Sequence, residues 1–205
     1  MNYFVTAIGT DSGKTLVSAI LTEALQADYW KPIQSGKVDR DFETVKRLIN
    51  NGHTICHEEQ YLLTDPISPH AAAKKDGVVI DLEKLEYPPT NGNYLIIEGA
   101  GGVLVPLNDK DFVIDVAIKF DAEIILVSNH YLGSINHTML TVNELKRRNI
   151  KVKGIIFNGL PNEESERIIL AHSGYKFLLR ILPEKKITQE IVTQYAIKLF
   201  ENWDE

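Results

Sequence analysis

An apolar run, Tyr3 to Ile8, breaks into Gly9-Thr10-Asp11-Ser12-Gly13-Lys14-Thr15, and apolar residues then recur at Leu16, Ile20, Leu21 and Leu25. The run has the composition of a buried strand, and the later spacing is that of a helix with one apolar face. A strand, a glycine-bearing turn and a helix start in direct succession constrain the chain sharply. Unpaired N–H groups at the start of a helix point outward and hold phosphate oxygens. In that context Lys14 is placed to reach the β- and γ-phosphates of a nucleotide, and the Thr15 hydroxyl to ligate Mg²⁺. Counting back from Lys14, Ala7 stands where such loops usually carry their first glycine. The competing reading is a plain glycine turn with a surface lysine; the preceding strand and the Gly-Lys-Thr ending weigh against it.

The rest of the chain repeats the alternation. Strands are expected at Tyr29 to Ile33, Leu95 to Glu98, Ile124 to Ser128 and Gly154 to Asn158, with a weaker one at Lys176 to Leu182. Helical spacing is expected at Phe42 to Asn50, Phe112 to Lys119, Ile135 to Arg148, 162–173 and 187–203. Asn51 to Pro69 reads as irregular, with Pro66 and Pro69 as breakers. Short apolar strands alternating with amphipathic helices imply βαβ units, hence an α/β fold with a parallel β-sheet flanked by helices. Ligands of such sheets bind beyond the carboxyl ends of the strands. The chemistry is therefore expected in the loops after Ile8, Ile33, Ile97, Val127 and Phe157.

At 205 residues, 44% of them hydrophobic, the chain is expected to form one domain over 1–205. A net charge of −6 argues against a nucleic-acid footprint or an acidic membrane surface as partner. Lys146-Arg147-Arg148 reads as the cationic end of a helix. Cys56 is the one cysteine, so neither an internal disulfide nor a cysteine metal pair is expected. The start MNYFVTAIGT lacks the basic and long apolar regions of a signal peptide, and no apolar run reaches membrane-spanning length. A cytoplasmic protein is the expectation.

Further segments carry chemistry: Lys31-Pro32-Ile33-Gln34-Ser35-Gly36, Glu98-Gly99-Ala100-Gly101-Gly102 and Leu132-Gly133-Ser134-Ile135-Asn136-His137, with Pro66-Ile67-Ser68-Pro69-His70 and Phe157-Asn158. Glu98 follows Tyr-Leu-Ile-Ile, and a carboxylate there is costly to bury unless it faces a cation or donors. In order and approximate spacing over nearly the whole chain, these segments resemble the dethiobiotin synthetases, a P-loop family. The pairing of Lys-Pro-x-x-Ser-Gly with Glu-Gly-Ala-Gly-Gly is the specific part of the match.

That resemblance implies an ATP- and Mg²⁺-dependent ligase of biotin biosynthesis that joins CO₂ to 7,8-diaminononanoate and closes a cyclic urea. It implies catalytic roles for Lys31, Lys14 and Thr10, and nucleotide contacts from Asp11, Ser12, Gly13, Lys14, Thr15 and Leu16. Asp11 reads equally as the N-cap of the first helix. Thr15, Glu98 and Asp41 become the Mg²⁺ ligands, a hard-oxygen set suited to that ion; Asp39 competes with Asp41. Lys31 has the alternative of an exposed lysine beside a turn proline, and Ser35 that of a turn serine. The family pattern also gives Gly99, Ala100 and Gly101 to the phosphates, Ser35 and Gly101 to the substrate, and Asn158 to the adenine edge.

Pro183, Glu184 and Lys185 fall where a second adenine loop is expected. The chain departs from Gly-x-(Ile/Leu)-Pro there, reading Leu179-Arg180-Ile181-Leu182-Pro183. Leu132, Gly133, Ser134 and Asn136 match a segment that serves the partner subunit's site, which implies a homodimer. His70 and His137 are expected to be structural. Two rivals share the phosphate loop. A partitioning-type or amidotransferring ATPase would need an extra early loop lysine or a nucleophilic cysteine domain. A nucleotide-binding module without turnover would not need Lys31, Ser35 and Glu98 together.

Overall fold

The computed structural model describes residues 1–90 and 94–203. Its first elements are β1 (Asn2–Ala7), α1 (Lys14–Leu25), β2 (Asp28–Trp30), β3 (Ile33–Ser35), α2 (Asp41–Leu48), β4 (Cys56–His57), β5 (Tyr61–Leu63) and α3 (Pro69–Asp76). There follow β6 (Leu95–Gly102), α4 (Val113–Lys119), β7 (Glu123–Asn129), α5 (Ser134–Arg147), β8 (Val152–Asn158), α6 (Glu163–Ser173), β9 (Phe177–Ile181) and α7 (Gln189–Leu199). Among the described residues the main sheet has the order β4-β2-β6-β1-β7-β8-β9, and its pairings are all parallel. This is the expected α/β architecture.

Both faces of the sheet are covered, and the strand sequences explain how. Side chains alternate between faces along a strand. Tyr3, Val5, Ala7, Ile96, Ile125, Val127 and Ile156 pack with α1, α2 and α7. Phe4, Ile97, Ile124, Leu126, Ile155 and Phe157 pack with α3, α4, α5 and α6. Each buried Val, Ile, Leu or Phe among them contributes about 1.5–3 kcal/mol relative to exposure. The two layers hold β1 rigidly at the centre of the sheet, with the phosphate-loop candidate at its tip.

Three local expectations are corrected. Tyr29 to Ile33 is not one strand: it breaks at Lys31-Pro32, and β3 leaves the main sheet to pair with β5 in a separate two-stranded sheet. Pro32 has no N–H to continue a ladder. The stretch from 51 to 69 is not wholly irregular, since β4 and β5 lie within it; strands of two and three residues are too short to show a period. Gly99 to Gly102 do not form a loop after Glu98 but extend β6, with Gly102 registered against Ala7. Among the described residues no helix is long and apolar enough to cross a membrane.

Candidate active site

Sheet register brings distant residues together. Trp30 lies opposite Ile97, so Lys31 and Glu98 emerge side by side at the carboxyl edge of the sheet. Glu98 also lies opposite Val5 of β1, beside the strand that delivers Gly9 to Thr15. These segments surround a cleft of about 780 Å³. Its walls include Thr10, Asp11, Gly13, Lys14, Thr15, Lys31, Ser35, Asp41, Glu98, Ala100 and Gly101, together with Gln34, Val105 and Pro66 to Pro69.

The loop between Ala7 and Lys14 is held by its own polar groups. Gly9 O accepts hydrogen bonds from Ser12 Oγ and from Lys14 Nζ, both at 3.2 Å. Gly13 takes a left-handed conformation, φ 93°, at the N-cap of α1. A Cβ there would fall 2.4 Å from Asn158 Nδ2, so glycine is required by both backbone and space. Asn158 Nδ2 donates to Ser12 O at 2.9 Å, tying the tip of β8 to the loop. Asp11 is exposed with φ 56° and does not cap the helix, which removes the N-cap alternative. Leu16 and Gly99 flank the cleft without lining it; Gly99 is wedged against Phe4 and Val113.

Acidic and basic groups meet at the cleft floor. Lys31 is 6% exposed and Glu98 1% exposed. Lys31 Nζ donates to Glu98 Oε1 at 3.3 Å and is ion-paired with Asp41 Oδ2. Burial opposes the charge of Lys31, but Glu98 and Asp41 outweigh it and hold the amine above the ordinary lysine value. Lys14 goes the other way: burial lowers its pKa, Glu98 opposes that, and Lys31 adds to it. Thr15 Oγ1 lies 2.7 Å from Asp41 Oδ1 and 3.0 Å from Glu98 Oε1. A hydroxyl has one proton and cannot donate fully to both. Three hard oxygens converging with fewer protons than acceptors fit a small divalent cation such as Mg²⁺. Asp39, exposed and outside the cleft wall, does not compete with Asp41 for this position.

Supporting contacts escaped the sequence reading. Asp41 N donates to Gln34 Oε1 at 3.4 Å, and the preceding Arg40 forms a two-point pair with the buried Glu59. Together they fix the start of α2 and so aim Asp41. Tyr29 OH donates to Glu98 Oε2 at 2.9 Å from a fully buried ring. Burial and the neighbouring Glu98 push this phenol well above its ordinary pKa, so it stays a donor. A buried tyrosine hydroxyl usually finds a polar partner, but the sequence Asp28-Tyr29-Trp30 does not say which.

Other expected site residues lie elsewhere. Leu132, Gly133, Ser134 and Asn136 sit at the start of α5, outside this chain's own cleft, with Leu132 fully exposed. Pro183, Glu184 and Lys185 follow β9 and do not line the cleft; Glu184 Oε1 accepts from Tyr195 OH at 2.7 Å. That segment lies near the tip of β8, because Gly159 N donates to Ile181 O at 2.9 Å. His137 Nδ1 shares a 2.5 Å hydrogen bond with Tyr131 OH, and His70 lies at the start of α3. Among the described residues there is no cluster of three or more His, Cys, Asp or Glu suited to a metal. The oxygens that the cleft floor brings together are those of Asp41, Glu98 and Thr15.

A family model described as an AAA domain matches residues 1–191. Among solved structures the chain is similar to the septum site-determining protein MinD from Pyrococcus horikoshii, complexed with Mg-ADP. That match has a TM-score of 0.58 and 16% identity and covers 100% of this chain and 97% of the other. A ParA family ATPase from Chlorobium tepidum matches with a TM-score of 0.55 at 14% identity, covering 98% and 90%. At these identities the likeness is one of fold. Sequence relatives are nearer. A protein of Cytophaga hutchinsonii named ATP-dependent dethiobiotin synthetase BioD is 67% identical over 99% of this chain and 98% of its own length. Proteins of the same name from Christiangramia forsetii and Chlamydia felis are 46% and 42% identical, over 96% and 100% of this chain and 95% and 97% of theirs. With such identity running from end to end, the chain belongs to the ATP-dependent dethiobiotin synthetases.

Proposed function

We propose that this chain uses ATP to carboxylate 7,8-diaminononanoate with CO₂ and close it to dethiobiotin, releasing ADP and phosphate. The observation that carries the reading is the convergence of Lys14 and Lys31, both nearly buried, on one cleft with Thr15, Asp41 and Glu98. One substrate amine adds to CO₂ and loses a proton, giving an anionic carbamate. A carbamate oxygen attacks the γ-phosphorus, the bond to the ADP oxygen breaks, and a carbamic–phosphoric anhydride forms. The second amine then attacks the carbamoyl carbon, and phosphate leaves as the ring closes.

Each step asks for positioning and charge neutralisation more than for covalent help from the protein. Two anions must approach one another, and compact ammonium groups aimed at their meeting point lower that barrier. Lys14 serves the β- and γ-phosphates, Lys31 the carbamate and γ-phosphate, and Thr10 the reacting groups from inside the loop. Backbone N–H groups from Asp11 to Leu16 and the small residues Gly99, Ala100 and Gly101 receive phosphate oxygens. Mg²⁺, when bound, would neutralise phosphate charge; Thr15, Asp41 and Glu98 would hold it.

Ser35 Oγ is buried and has no hydrogen-bond partner among the described residues, which suits a contact to the carbamate or amine. Asn158, with Pro183, Glu184 and Lys185, takes the base. The whole of 1–205 acts as one cytoplasmic synthetase domain. A second copy completes the site, contributing Leu132, Gly133, Ser134 and Asn136 to the substrate carboxylate beside Gly101. Exposed Leu104 and Leu140 beside the phosphate loop, with Leu132 and Ile135 exposed around the start of α5, support such a homodimer.

The test is phosphate release measured with each component omitted in turn. Release that requires the diamine, bicarbonate, ATP and Mg²⁺ together supports the reading. Release independent of the diamine, or stimulated by DNA or glutamine, overturns it.

A further inference from the structure

We infer that Tyr29 is a positioning residue for the divalent cation, acting through Glu98. This rests on the assignment of Glu98 as a ligand and goes beyond it. Tyr29 lies opposite Ile96 across β2 and β6, and Glu98, two residues further along β6, projects to the same face. Its ring is wholly buried in the core layer under α1 and α2. From there the hydroxyl reaches up the sheet to Glu98 Oε2 at 2.9 Å, and no other described group bonds that oxygen. The remaining oxygen, Oε1, faces Thr15 and Lys31 on the cleft side.

The two ends of one carboxylate are thus divided between core and cleft. A Glu side chain has three rotatable bonds, the last of them soft. Its plane is set by what each oxygen finds. With Tyr29 holding Oε2, a single oxygen is presented to the cation in one orientation, beside the Thr15 hydroxyl. Without that donor, Oε2 is buried and unpaired, and the carboxylate gains by rotating toward Lys31, whose ammonium already pairs with Oε1. Groups that orient a metal ligand from behind typically change metal affinity by about 10–100-fold when removed.

The experiment compares Mn²⁺ binding, followed by its electron paramagnetic resonance signal with a non-hydrolysable ATP analogue, in four proteins. These are the unaltered chain, Tyr29→Phe, Glu98→Gln and Ile96→Val, the last a packing control in the same layer. Tyr29→Phe is expected to weaken Mn²⁺ by about tenfold or more and to raise the KM for Mg²⁺ while leaving the KM for the diamine unchanged. Ile96→Val is expected to leave both unchanged. Should Tyr29→Phe not fold, Tyr29→Met also lacks the hydroxyl and fills the space with a flexible side chain. Unchanged Mn²⁺ affinity in the hydroxyl-less variant, with Glu98→Gln weakened, would overturn the role of Tyr29 and keep the ligand assignment. Unchanged affinity in Glu98→Gln would remove the ligand assignment itself, and the inference with it.

Discussion

The Lys31 ammonium lies 3.3 Å from Glu98 Oε1 while also pairing with Asp41, so one lysine joins two of the three proposed cation ligands. All three side chains are drawn from different elements, one after β2, one at the start of α2 and one within β6. The same positive charge that balances these carboxylates is the one that the proposed chemistry directs at the carbamate and γ-phosphate. Lys31 therefore has a structural and a catalytic role, and its removal should register in both.

Lys31→Gln should lower kcat by about 10²–10³-fold, the usual cost of losing one donor aimed at developing charge. It should also destabilise the chain by about 3–5 kcal/mol without Mg²⁺, because Glu98 and Asp41 lose their buried counter-charge. Added Mg²⁺ should return part of that loss. Urea unfolding with and without Mg²⁺, beside a phosphate-release assay, separates the two effects. Normal turnover would remove Lys31 from the mechanism.

Gly13→Ala forces a Cβ onto a residue at φ 93° and against Asn158 Nδ2. The left-handed conformation costs about 1–2 kcal/mol in a non-glycine residue. The displaced Asn158 should also release Ser12 and spoil the loop. Nucleotide affinity, read by calorimetry, is expected to fall by about tenfold, or 1.4 kcal/mol. Unaltered affinity would show that the loop does not hold phosphate as described.

Leu140 is 60% exposed on the face beside the phosphate loop. If a second copy covers it, Leu140→Asp should shift sedimentation from dimer to monomer and make activity per chain rise with protein concentration. A dimer of unchanged stability would place the interface elsewhere.

Glu144 is clamped by Arg147 and Arg148, which hold its carboxyl down at about 2 against an ordinary value of 4.5. A carboxylate with a lowered folded pKa adds stability above its unfolded pKa and loses it as the pH falls toward the folded one. Glu144→Gln should therefore flatten the fall in urea midpoint between pH 4.5 and 2. Arg147 is largely exposed, so solvent screening keeps the effect modest. An acid limb identical to that of the unaltered chain would contradict this.

The phosphate loop was legible because its strand, glycines and helix are contiguous, and the layers because apolar residues alternate along each strand. Lys31 beside Glu98 was not readable from spacing. Parallel pairing of β2 with β6 joins residues 67 positions apart, and only the family pattern had put them in one site. Asp41, and not Asp39, lies in the cleft wall because Gln34 and Arg40 fix the start of α2, and those contacts have no local signature. Tyr29 gave no local sign of its role, because the carboxylate it meets lies 69 positions away on β6. The glycines after Glu98 read as a loop because they carry no side-chain pattern, yet their backbone continues the ladder to Ala7. Residues 132–136 read as the opening of a helix, as they are, but they lie outside their own chain's cleft.

The most direct measurement is a crystal structure with Mg²⁺, a non-hydrolysable ATP analogue and the diamine. Lys14 Nζ and Lys31 Nζ are expected within hydrogen-bonding distance of the γ-phosphate, with Thr15, Asp41 and Glu98 around the cation. A γ-phosphate seated away from Lys31, with that ammonium turned to solvent, would contradict the account.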